Sequence, residues 1–380
     1  MLVLLFTLSE YGQANTVLAL AEELVSRENV QVHLCSFPEV QKRVDAIPTP
    51  TPSSSITFHP LKGPSFVRAA ELHGMTSDWL PHPPSTKSSK VFKNMDYVFT
   101  MYSDEDYTSL IEEAKVVVKT LDADIIVVDT LCAFAVDACR VLDRRYIINN
   151  PTQAMDVVRM QQPWGKGFWY YPALSSGLPY PVPWKDFLLN IQILLIMIYT
   201  FATNPRMKAL PASRKALGLK GGQPFMDAYY PDIDIICPAI EETDYPCVCP
   251  PNLHRFGTIT VDTVPLEQSD PEMKAWLDKR KTVVIVLGTH APCTEAMVRA
   301  FLRALLDYLP RDMQVLWKIR NKSDFEKLIE DMLGQGGEKE GGRFRIVDWI
   351  TADPKAIMEH PNVACYVHHG GANSLFECCL

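Results

Sequence analysis

Apolar positions along the chain fall into short continuous runs that alternate with stripes at helical spacing. Leu2–Leu8 is a continuous run that stops at Ser9-Glu10-Tyr11-Gly12. From Asn15, the positions Val17, Leu18, Leu20, Ala21, Leu24 and Val25 recur with the period of a helix. Val30–Cys35 is again strand-like, and this strand–loop–helix–strand order opens a parallel, doubly wound sheet. The stretch from Ala46 to Pro60 is rich in Pro, Ser and Thr and is expected to be loop, as is Pro81–Lys90. Thr108–Leu121 is amphipathic, Asp124–Val128 a buried strand, Ala133–Leu142 a helix, and Arg145–Ile148 and Ile233–Cys237 further strands. Between them, Gln161–Pro183 collects Trp, Tyr, Pro and Gly, which suits an irregular aromatic wall.

The segment Gly257–Pro271 has no periodicity, and the same alternation restarts after it. Strands are predicted at Thr282–Leu287, Gln314–Ile319, Arg343–Val347 and Val363–Val367. Helices are predicted at Glu295–Leu309, Ser323–Leu333 and Pro354–His360. The expected organisation is an α/β chain of two Rossmann-like doubly wound domains: residues 1–256, a linker at 257–271, and residues 272–380. The pattern stops at Leu380 in the first turns of a helix, where a six-stranded doubly wound domain calls for about two more strand–helix units. The second domain is therefore expected to be incomplete, with the edge of its last strand uncovered.

Composition narrows the function classes. With 380 residues, 22% charged and a formal net charge of −8, the chain can fill two cores and carries no basic run dense enough for a phosphate backbone, so no nucleic-acid partner is expected. The ten cysteines form no CxxC pair. Cys35, Cys132 and Cys365 sit in apolar runs, which reads as reduced, buried thiols in a cytoplasmic protein. Phe187–Ala202 is strongly apolar but contains Asn190 and Gln192 and falls short of the ~20 residues of a spanning helix. A buried or pocket-lining helix is expected there, with a peripheral membrane contact or a mouth for greasy acceptors as the alternative.

The chemistry concentrates in His368-His369-Gly370-Gly371-Ala372-Asn373-Ser374, followed by Glu377. This string follows a buried strand and opens a helix. Gly370 and Gly371 allow a tight turn and close approach of a ligand. Asn373 and Ser374 then lie in the first helical turn, where free N–H groups and the helix dipole favour a diphosphate. Glu377, one turn on, can accept from both hydroxyls of a ribose. No GxGxxG follows either first strand, which excludes a nicotinamide dehydrogenase.

The string "HHGGANSLFE", preceded by "DWITADPKAIMEHPNV", resembles the donor-site signature of the inverting, two-domain UDP-glycosyltransferases (GT-B fold, family 1), in their fungal flavour. The resemblance covers most of the chain. It implies that Trp349 stacks on uracil, that His369, Asn373 and Ser374 hold the diphosphate, and that Glu377 binds the ribose. It also implies that Gly288-Thr289 faces the phosphates. By the same resemblance UDP-glucose is the default donor, a co-substrate with no cofactor beside it, and inverting transfer needs no metal. "SEYGQANTVLALAEEL" resembles the family's first loop and helix, where a Gly-His pair supplies the base; here the pair is Gly12-Gln13. "ADIIVVDTLCAFAVD" resembles the segment whose carboxylate orients that histidine, and the match falls on Asp129.

Glutamine accepts no proton at neutral pH. Two routes stay open: Asp129 as base, directly or through water, with Gln13 positioning the acceptor hydroxyl, or another histidine such as His73 or His290. Asp122-Ala-Asp124 and Asp232-Ile-Asp234 fit a metal-binding DxD pattern, but each leads into an apolar strand and is expected to cap or turn inward. The expected activity is inverting transfer of a hexosyl group to a hydroxyl of a hydrophobic small molecule or lipid. The alternative is a non-catalytic UDP- or acceptor-binding relative or an inactive fragment, suggested by Gln13 and by the absent sugar-gripping segment.

Overall fold

The computed structural model describes residues 1–49, 55–75, 91–92, 97–224, 232–288, 292–334 and 342–379. The described residues fall into two compact units, which part between Val261 and Asp262.

The first unit is built on a seven-stranded parallel sheet of order β3-β2-β1-β4-β5-β6-β7. Its strands are β1 (Leu2–Phe6), β2 (Gln31–Ser36), β3 (Ile56–Pro60), β4 (Ile125–Asp129), β5 (Ile147–Asn149), β6 (Ile235–Cys237) and β7 (Leu253–Arg255). Alternate residues of β1 enter opposite faces, as the two-residue period of a strand requires. Val3 and Leu5 join one core with Val17, Leu18 and Ala21 of helix α1 (Tyr11–Val25). Leu4 and Phe6 are fully buried on the other face. The strand order reverses beside β1, between β1 and β4, and in doubly wound sheets that is where the C-terminal strand ends open a crevice. Asp129 is the last residue of β4.

The expectation that residues 46–60 are loop throughout is corrected by β3. Ile56 and Phe58 alternate with polar residues and pack on the same core, while β3 registers Val32 against Ile56 and Leu34 against Phe58. Cross-strand pairing with β2 overrides the poor local propensity of the surrounding Pro-Ser-Thr run. Helices α2 (Phe66–Leu72), α3 (Asp104–Leu121) and α4 (Ala133–Val141) follow. Ser103 caps α3 by accepting from the Asp106 amide at 3.0 Å.

The apolar run of the first unit forms helix α5 (Phe187–Thr203), which continues into α6 (Pro205–Ala216) across the Asn204 cap. It is not the buried helix expected from its composition. Only Asn190, Ile193 and Leu194 are buried, whereas Leu188, Leu195 and Tyr199 are 77%, 60% and 69% exposed.

The second unit has a four-stranded parallel sheet of order β10-β9-β8-β11, with β8 (Thr282–Val286), β9 (Gln314–Lys318), β10 (Phe344–Val347) and β11 (Val363–His368). Separate cores cover its two faces, one around Trp276, Leu277 and Ile357, the other around Val298, Trp317 and Phe325. β11 lies at one edge, and Cys365, expected to be buried, is exposed there. Cys35 and Cys132 are buried as read, and burial raises both thiols far above their usual range.

Candidate active site

In the second unit, β11 registers His368 against Val286 of β8, so the loops after the two strands leave the sheet side by side. That register brings the His369 ring against Gly288. A Cβ on Gly288 would stand 3.0 Å from His369 Cε1, and one on Gly371 would stand 2.4 Å from its Nε2. The imidazole thus fills the space two side chains would have taken. Gly288 and Gly370 have φ of +82° and +81°, in the left-handed region that disfavours any residue with a Cβ. Gly371, at φ −64°, is a glycine for room rather than for backbone conformation.

Helix α7 (Ala372–Cys378) follows at once. Within it Asn373 Nδ2 donates to Glu377 Oε1 at 2.6 Å, and Glu377 is only 9% exposed. Ser374 hydrogen-bonds the Tyr366 phenol, which burial pushes up. Gly288, His369, Gly370, Gly371, Asn373, Ser374 and Glu377 therefore gather at the C-terminal ends of β8 and β11. Thr289 and His290 lie outside the described residues. Trp349, two residues past β10, is 64% exposed, and the Lys318 ammonium at the end of β9 sits 4.2 Å from its ring centroid. This cation–π contact covers one face of the indole.

In the first unit the structure brings Gln13 and Asp129 together. The Gln13 amide faces Asp129 with Nε2 donating to Oδ1 at 3.0 Å and Oδ2 at 3.3 Å. This is the orientation the hydrogen-bond pattern requires. Asp129 is fully buried and also accepts from the Leu131 amide at 2.8 Å and the Thr7 hydroxyl at 3.2 Å. Burial is the largest influence on its carboxyl and lifts it to about 7, while these donors pull it down. His73 faces Asp106 at 3.7 Å. Of the DxD candidates, Asp122 pairs with Arg144, Asp124 accepts from the Leu2 amide at 2.7 Å, and Asp234 pairs with His254 at 2.9 Å.

Sequence reasoning missed Glu10. It lies three residues before Gln13, and burial raises its carboxyl to about 7. One oxygen accepts from the Val67 amide at 3.3 Å, and the other has no hydrogen-bond partner among the described residues. Its charge also contributes to raising Asp129. The one available signal was its place in the loop after β1.

The first unit also holds a partly open cavity of about 280 Å³. Phe99, Met101, Leu131 and Ala133 supply apolar walls, and Tyr107 and Arg214 a polar side. Arg214 is held by Asp137 at 2.6 and 2.9 Å, and Tyr107 donates to Asp137 at 2.7 Å.

Two parallel α/β sheets, each with its candidate residues at strand C-termini, match the two-domain GT-B architecture. The family of UDP-glucoronosyl and UDP-glucosyl transferases matches residues 39–380, and the chain belongs to that family. It is similar to glycosyltransferase sdnJ of Sordaria araneosa, 32% identical across 99% of this chain and 77% of that protein. It is also similar to UDP-glycosyltransferase 84A2 of Arabidopsis thaliana, 31% identical across 32% of this chain and 24% of that protein. Among solved structures, the glycotransferase of kitacinnamycin superposes with a TM-score of 0.59 at 15% identity, over 99% of this chain and 77% of that one. A UDP-glucosyltransferase from Polygonum tinctorium capable of glucosylating indoxyl gives 0.58 at 15% identity, with the same coverage. The fold is GT-B, and the protein is a glycosyltransferase of the UDP-sugar-dependent family.

Proposed function

We propose that the protein transfers a hexosyl group, glucose by family default, from the UDP-sugar to a hydroxyl of a hydrophobic small molecule or lipid, with inversion at the anomeric carbon and without a metal. The observation that carries this reading is the Gln13–Asp129 pair. A retaining route through a covalent intermediate needs a carboxylate free to attack the sugar. Asp129 is fully buried with its oxygens engaged by Gln13, Leu131 and Thr7, so it suits a proton acceptor better than a nucleophile. A carboxyl raised to about 7 matches a base working near neutral pH. With Gln13 Nε2 turned to Asp129, Gln13 Oε1 would hold a water beside the acceptor hydroxyl; that water takes the hydroxyl's proton as it gives one of its own to Asp129. The acceptor oxygen attacks the anomeric carbon in one displacement while UDP departs.

The departing diphosphate is assigned to His369 with Asn373 and Ser374, the ribose to Glu377, and uracil to the indole face of Trp349 that Lys318 leaves open. Gly288-Thr289 would approach the phosphates from β8. The cavity walled by Phe99, Met101, Leu131 and Ala133, which begins two residues beyond Asp129, supports an apolar acceptor. The test is transfer from UDP-α-glucose to a panel of phenolic and sterol acceptors. Each product's anomeric configuration is read by NMR, and Asp129→Asn is the comparison enzyme. β-Glycosides from the wild type and none from Asp129→Asn are expected. An α-product, or undiminished turnover by the variant, overturns the mechanism.

A further inference from the structure

The exposed face of α5 is apolar apart from Gln192. Leu188, Gln192, Leu195, Tyr199 and Ala202 succeed one another at spacings of four and three residues, so they form one stripe, with Ile198 beside it; all six are exposed. Trp184, in the turn that leads into the helix, is 86% exposed and packs its ring 6.0 Å from that of Phe187. Trp164, 88% exposed, precedes the short helix Lys166–Trp169 that packs on α5. Large side chains this exposed, and this close together, mark an interaction surface.

The charge around this face is as uneven as its polarity. Residues 157–224 hold eight Lys and Arg and a single acid, Asp186, a sum of +7 that Asp137, paired with Arg214, and Asp156, beside Arg159, bring to +5, in a chain whose net charge is −8. Lys185 stands exposed at the start of α5, and Arg206, Lys208 and Lys215 stand exposed on α6 beyond its end. An apolar stripe with tryptophan at one end and lysines at both ends fits the boundary of an anionic bilayer. Indole rings favour the headgroup level there, and lysines lay their stems along the apolar layer with their charges outward.

The segment Trp184–Thr203 is long and apolar enough to cross a membrane by length and composition. Its side chains tie it to the fold instead. Asn190 is fully buried, accepts from the Ala173 amide at 2.6 Å, and donates to the carbonyls of Tyr171 at 3.1 Å and Phe168 at 3.4 Å. Ile193 and Leu194 are buried beside it. Crossing the bilayer would strip these contacts from the first unit and place Asn190 in hydrocarbon, a cost that lying in the interface avoids.

We propose that α5, with Trp164, Trp184 and the flanking lysines, docks the protein peripherally on an anionic lipid surface. The full chain would be sedimented with phosphatidylcholine vesicles, with and without about one-third phosphatidylserine, at low and high salt. Binding that needs phosphatidylserine and weakens with salt is expected. Leu188→Glu with Leu195→Glu should abolish it. Lys185→Gln, Lys208→Gln and Lys215→Gln should together weaken it by roughly 100-fold, at about fivefold for each cation. UDP affinity and the circular dichroism spectrum of both variants should match the wild type, which shows that they fold. No wild-type binding, or equal binding by the Leu188→Glu, Leu195→Glu variant, overturns the proposal. Concentration-dependent dimers that this variant abolishes, without vesicle binding, would overturn it in favour of an interface between two copies.

Discussion

The packing of His369 between two glycines gives a quantitative prediction. In Gly371→Ala the new Cβ would stand 2.4 Å from His369 Nε2, 2.9 Å from Cε1 and 3.3 Å from Cδ2. Ordinary contact begins near 3.4 Å, so the ring must recede by about 1 Å, and Gly288 stands in contact with it as well. The backbone tolerates alanine, since φ is −64° and ψ is 146° at this position. Fold stability should therefore hardly change, while His369 is pushed from its place. If His369 donates to the diphosphate, losing that bond to a charged group costs about 1.5–3 kcal/mol, or roughly 10- to 150-fold in Kd. UDP would be titrated calorimetrically into the wild type, Gly371→Ala, His369→Ala and the double variant. Each single variant should lose affinity within that range, and the double should be no weaker than His369→Ala, because the alanine then has no ring to displace. Wild-type affinity in Gly371→Ala, or additive losses in the double, would refute the assignment of His369 to the phosphates.

Other outcomes follow from the same geometry. Asp129 and Glu10 ionise near 7 in the fold against ordinary values of 3.8 and 4.5, so between about pH 4 and 7 the native state holds protons that the unfolded chain has lost. Stability should therefore be greatest at the acid end of that window and fall as pH rises to about 7; urea midpoints at pH 5 and pH 8 measure this, and Asp129→Asn should flatten the difference. Gln13→His places a proton acceptor beside Asp129 and should raise kcat by roughly 10²–10⁴-fold, with a pH profile that follows histidine. Unchanged kcat and an unchanged pH profile would remove Gln13 from the reacting centre. Trp349→Ala should weaken UDP by about 1–3 kcal/mol if the indole stacks on the base, and leave binding of inorganic pyrophosphate unaltered.

The doubly wound pattern was legible because strand runs and helix stripes differ in period, and β1, α1 and β4 are long enough to show it. The donor motif was legible because histidine, two glycines and glutamate in ten residues serve few purposes but this one. What the sequence could not display depends on pairing across the fold. β3 is hidden in a Pro-Ser-Thr stretch until β2 supplies its partner. The contact of His369 with Gly288 arises from the register of β11 on β8, about 80 residues apart in the chain. The burial of Glu10 depends on α2, whose Val67 amide it meets. For α5, composition reported apolarity correctly, but burial is decided by neighbours, and among the described residues one face has none.

The lysines around α5 have an effect that requires no lipid. The whole chain has a pI of about 5.6 and is an anion at neutral pH. Residues 157–224 carry +7, which leaves −15 on the remainder. The exposed lysines of that stretch give a molecule of overall negative charge a positive patch. In low salt it should bind a cation-exchange resin as well as an anion-exchange one, and it should turn its α5 side toward any negative surface before touching it.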